Sequence, residues 1–151
     1  MNDAMTSLPS LLSLAHLIGL ALGVGAATVK LTLLLRCHAD HALVPVYFQV
    51  VKPITRQIVL GIILLTLSGI GWLLLAYPIT MRLVLKLILV GAIWVLGPII
   101  DNVVEPKFLK LEPAAGAAAS PEFIRIQKQY LTLEVIATGL FYVIIMTWVL
   151  A

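Results

Sequence analysis

Apolar residues run along the chain in four long blocks, roughly residues 8–35, 54–76, 83–100 and 123–150, separated by short stretches that gather much of the charge. Each block is near or above the ~20 residues an α-helix needs to cross the hydrocarbon core of a bilayer. None alternates with the period of two expected of the ~10-residue strands of an outer-membrane barrel. The pattern predicts an all-α fold, an integral membrane four-helix bundle forming a single transmembrane domain over residues 1–151. The first block is too long for a removable signal segment, and lacks both a basic leader and a small-residue cleavage site.

Composition strengthens this picture. Of 151 residues, 62% are hydrophobic and 11% charged, and the mean hydropathy is +1.11, whereas soluble chains carry about 25% charged residues. The small basic excess gives no reason to expect nucleic acid. Its distribution is informative. Lys30, Arg36, Lys52 and Arg56 flank the first connection, Lys107, Lys110, Arg125 and Lys128 flank the third, and Arg82 and Lys86 stand towards the opposite side. Short loops rich in Lys and Arg stay on the cytoplasmic side. Both termini are therefore expected outside, an N-out/C-out arrangement in a bacterial-type inner membrane, with the lipid bilayer and other membrane subunits or further copies of the chain as partners.

The connections carry their own signals. "CHADHALVPVYFQVVKP" is bracketed by Pro45 and Pro53 and predicts a short interfacial helix with Tyr47 and Phe48 at headgroup level. "YPIT" predicts a tight hairpin between spans two and three. Residues 101–121 read as a cytoplasmic loop, helical to about Val104. "SPEF" places Ser120 as an N-cap and Pro121 at the first helical position of span four.

Few residues could carry chemistry. His16 lies in the apolar run "LAHLIGLALGVGAATVK", and an ionisable side chain in a span marks a functional site until its partner is known. At helical spacing it shares a face with Gly19, Leu20, Gly23, Ala26 and Ala27. Gly19 and Gly23 form a G-x-x-x-G pair, which admits a neighbouring helix or a flat macrocycle. Lys86 and Arg82 lie one turn apart in span three. His16 and Lys86 differ by only ~3 Å in expected depth and could face each other; otherwise Lys86 snorkels and Arg82 anchors at the interface. Glu134, well inside span four, is expected to be neutral and hydrogen-bonded, or else a proton-relay carboxyl. "CHADH" brings Cys37, His38 and His41 together with Asp40, a short set for a metal site of three or four ligands, and reads as an interfacial polar loop. With one cysteine there is no internal disulfide.

With His16 early in span one, a basic linker after it, "SGIGWLL" closing span two and the "KL" of Lys86 early in span three, the chain resembles the four-helix membrane family of HemJ-type protoporphyrinogen oxidase and CopD-like domains. It departs from that family where "WVLGP" stands in place of a later histidine of span three, and where Lys128 and Gln129 replace an Asn and a Glu after Arg125. The resemblance implies haem b, with His16 as the metal ligand, Gly19 and Gly23 lining the cofactor site, and Lys86 as second ligand or propionate partner. Lys86 and Arg82 would then be the catalytic candidates. The expectation is a haem-b membrane protein in electron transfer or porphyrinogen oxidation. The alternatives are a non-catalytic subunit of a larger respiratory or photosynthetic membrane complex, and CopD-like metal transport, for which the spans hold too few soft ligands.

Overall fold

The computed structural model describes residues 2–75, 78–111, 113 and 119–149. It contains five α-helices: α1 (Asn2–Ala39), α2 (Val44–Leu74), α3 (Met81–Ile99), α4 (Glu105–Lys110) and α5 (Pro121–Val149). A 3₁₀ turn, His41–Leu43, joins α1 to α2, and a π-helical segment, Ile100–Val104, joins α3 to α4 without a break. Four helical stretches of 28 to 34 residues are apolar enough to cross a membrane, the third running continuously from Met81 to Lys110.

Side chains that a soluble protein would hide face outward here: Leu17, Leu67, Val95 and Trp148 are all at least 60% exposed. Such a girdle suits a lipid surround. Helix α1 is central, packing closely on α2 and also on α5, while α5 packs on α3. The α1–α2 seam is built by glycines. A Cβ placed on Gly61 would collide with the backbone of Gly23, and one on Gly19 would stand 3.0 Å from the Gly61 carbonyl oxygen. This is the close backbone approach that small residues permit in membranes.

Two boundaries differ from the sequence reading. No separate interfacial helix precedes span two: Val44, with Pro45 in the first turn, starts α2 directly, because proline fits a first helical turn. Tyr47, expected at the headgroups, is buried in an aromatic cluster with Phe108, Phe123 and Tyr130. The helix expected to reach about Val104 continues to Lys110, so residues 105–110, read as loop, are helical. Pro98 cannot donate its backbone N–H and crowds the preceding turn. The π segment just after it widens the helix, with the Glu105 N–H bonding to the Ile100 carbonyl five residues back. Asn102 Nδ2 donates to the Pro98 carbonyl at 3.0 Å, satisfying an acceptor of the disturbed turn.

The start of α5 agrees with the sequence: Ser120 Oγ accepts from the Phe123 N–H at 3.1 Å. Thr80 caps α3 in the same way, accepting from Leu83. Most of the third connection lies outside the described residues, as does Tyr77 of "YPIT".

A buried ion-pair centre as candidate functional site

Lys30 stands nine residues before the end of α1, about 14 Å in from that helix terminus. Its side chain is 2% exposed. An ammonium taken out of water must recover its hydration from other groups, and Lys30 does so with three carboxyl groups. Nζ donates to Asp101 Oδ1 at 3.0 Å, lies 3.0 Å from Glu105 Oε2 and 2.7 Å from Glu134 Oε1. Three separate segments meet there: α1 brings the base, the π segment and the first turn of α4 bring two acids, and α5 brings the third. Asp101 begins the π segment's acidic face and Glu105 follows directly after it, so the widened turn after Pro98 presents both carboxyls to one ammonium. π-helical insertions are often found at functional sites for this reason.

The centre continues towards the end that carries the basic connections. Tyr130 O–H donates to Glu105 Oε2 at 2.7 Å, and Tyr47 O–H in turn donates to the Tyr130 oxygen at 2.7 Å. The Lys30 ammonium also lies 5.5 Å from the Tyr130 ring centroid. Phe108 stacks on Phe123 at 5.1 Å, closing the apolar packing around this chain of hydroxyls. The result is a linear polar path, Tyr47 to Tyr130 to Glu105 to Lys30 to Glu134, with four helices contributing.

The charges do not balance. One ammonium faces three carboxyl groups, and a surplus of negative charge in a low-dielectric interior is costly. Protons are the simplest compensating charge, and groups this close titrate as a set. Chemically, the arrangement can store and pass protons.

Sequence reasoning placed Glu134 in a span but gave it no base; the structure supplies Lys30. Lys30, Asp101, Glu105, Tyr47 and Tyr130 were missed as site residues. One signal was available for Lys30, which stands five residues inside the first apolar block rather than at its edge.

The other expected residues fall elsewhere. His16 is half-buried, fourteen residues from Lys30 along α1, about 21 Å away. Its Nδ1 bonds Ser68 Oγ of α2 at 2.8 Å. The Lys86 ammonium sits 5.9 Å from the Trp148 ring centroid, a cation–π contact at the end of the bundle away from the basic connections. Arg82 is exposed. Gly19 and Gly23 do not line a cofactor groove: α2 fills that face through Gly61, so their role is helix approach. The glycine half of the expected haem cradle therefore does not fit a macrocycle, while the histidine's hydrogen bond among the described residues engages Nδ1 alone.

"CHADH" forms a polar latch. Gln127 Oε1, fully buried, accepts from His38 Nδ1 and His41 Nε2 at 3.3 Å each, and Gln127 Nε2 donates to the Cys37 carbonyl at 3.3 Å. Among the described residues no group of three or more His, Cys, Asp and Glu is arranged to hold a metal ion. In the tight centre, the Lys30 ammonium takes the position between the acids.

Fold and site together define a multi-pass, four-helix membrane protein with a buried ion-pair centre. Comparison with protein-family models, with curated proteins and with solved structures gave no match.

Proposed function

We propose that this is a proton-exchanging membrane protein whose centre is Lys30 with Asp101, Glu105 and Glu134, and whose Tyr130 and Tyr47 connect that centre towards the basic end. The observation that carries the reading is the single buried ammonium in contact with three carboxyl groups from two other helical segments. Ionisable groups inside a membrane are expensive and mark proton relays or ion paths. A purely structural role needs one acid per base; two further carboxyls add desolvation cost without adding a helix contact that apolar side chains could not make. The test is a count of protons. On acidification in detergent, the wild-type chain takes up about one more proton than the Glu105→Gln/Glu134→Gln double variant. Equal uptake by the two contradicts the proposal.

A second reading keeps haem b at the opposite end, in a protein of electron transfer. The observation favouring it is that the His16–Ser68 bond engages Nδ1, which orients the ring and leaves Nε2 available. His16 would hold the group, and haem would supply one-electron transfer. A visible spectrum of protein purified from haem-replete cells tests this reading: a Soret band lost in His16→Ala supports it, and no band rules it out.

A further inference from the structure

A half-open cavity with about 30 Å³ of space for water adjoins the ion-pair centre. It lies on the side away from the basic end, walled by Ile58, Ile93 and Phe141 and floored by Asp101, Glu134 and Thr138. At ~10–15 Å³ for each water, it has room for about two. One polar atom lining it, Thr138 Oγ1, lacks a hydrogen bond among the described residues, and Glu134 Oε1 has the Lys30 ammonium at 2.7 Å on one side, leaving its second lone pair for another donor. Glu134 is 4% and Thr138 3% exposed, and at i, i+4 they share one face of α5.

Thr138 and Thr55 of α2 have buried hydroxyls without a hydrogen bond among the described residues, and of the two Thr138 borders the cavity. Thr28, Thr32, Thr66 and Thr132 each donate to the carbonyl four residues back, the usual way a helical threonine satisfies its hydroxyl. Thr138 does not, although the Glu134 carbonyl stands in the corresponding place. A buried hydroxyl that forgoes its local acceptor and borders a water-sized space is placed to bond water.

From this we infer that the cavity is a water site, in which ordered water bonds Thr138 Oγ1 and Glu134 Oε1 and makes Glu134 the carboxyl through which protons enter the centre. The inference rests on the proton-exchange reading and adds the entry point to it. The step balances simply: a hydronium in the cavity gives its proton to Glu134, an O–H bond breaking on the hydronium and one forming on the carboxylate, leaving water and a carboxylic acid. The groups facing Glu134 during this step are Lys30 from α1, Asp101 and Glu105 from the third span, and, through Glu105, the tyrosine pair Tyr130 and Tyr47. The walls are apolar, so Thr138 is the positioning residue for the water.

Infrared measurement of hydrogen–deuterium exchange at the protonated carboxyl band, in protein reconstituted into lipid, tests the inference. Glu134→Gln removes the most rapidly exchanging component. Thr138→Val, which keeps the shape and deletes the hydroxyl, slows that component about tenfold, the kinetic equivalent of one lost hydrogen bond. Thr138→Ser, which restores a hydroxyl, returns it to the wild-type rate. Unchanged exchange in Thr138→Val overturns the water site while leaving the exchange centre standing. A wild-type protein without any exchangeable carboxyl band overturns both. Replacing choline chloride by sodium chloride leaves the rate unchanged; a sodium-dependent slowing would mean that a cation, not water, occupies these oxygens.

Discussion

Glu134 Oε1 of α5 lies 2.7 Å from the ammonium of Lys30 on α1, the shortest of the three contacts that hold this lysine between its acids. The pair joins two helices inside the bundle, and Lys30 is 2% exposed there. Removing either member leaves the other facing a changed charge balance rather than water.

Lys30→Met should therefore destabilise more than any single acid substitution. It leaves three carboxyls, two of them buried, without their cation, and loss of one partner from a buried pair costs about 3–5 kcal/mol. Glu134→Gln leaves Lys30 with Asp101 and Glu105 and should cost less, about 1–3 kcal/mol. Thermal unfolding in detergent ranks the two. A silent Glu134→Gln would restore the neutral, merely hydrogen-bonded glutamate that the isolated sequence suggests.

The α1–α2 seam makes a second prediction. A methyl group on Gly61 meets Gly23 backbone, which cannot rotate away, so Gly61→Ala should destabilise by about 1–3 kcal/mol through overpacking. At Gly91 and Gly139 an added methyl group would meet nothing within 4 Å, and their alanine variants should unfold with the wild type. Equal behaviour at all three positions would contradict the glycine seam.

How much of this was legible in the sequence depends on which interactions are local. Four spans follow from hydropathy, and the cap at Ser120 follows from residue type, because a helix end is decided by its neighbours. Helix to about Val104 was legible, but its continuation to Lys110 and its π form were hidden: Pro106 and the charged residues around it read as loop, and the π segment that carries the chain through Asp101 and Asn102 depends on tertiary support. The site was hidden for a related reason. Lys30 counts as one more basic residue near a loop, and Asp101 and Glu105 as loop acids, until folding brings residues more than seventy positions apart to 3.0 Å. Gly19 and Gly23 were readable as a packing face; which partner fills it, Gly61, was not.

Topology can be checked independently. Four spans place both termini on one side, and eight of ten basic residues flank the connections on the other, so the termini should be outside. Cys37 is buried, giving a low labelling background. Cysteines introduced at the termini should react with an impermeant maleimide in intact cells, and one introduced at Glu112 should not; the reverse pattern would invert the orientation.

Proton exchange at the Lys30 centre is tested most directly by the infrared difference spectrum of the lipid-reconstituted protein between about pH 5 and pH 9, a window that isolated carboxyls do not titrate in appreciably. The account predicts a carboxyl band that changes with pH in the wild type, shifts in Lys30→Met and is diminished in Glu134→Gln. A wild-type spectrum with no carboxyl change across that window would contradict it.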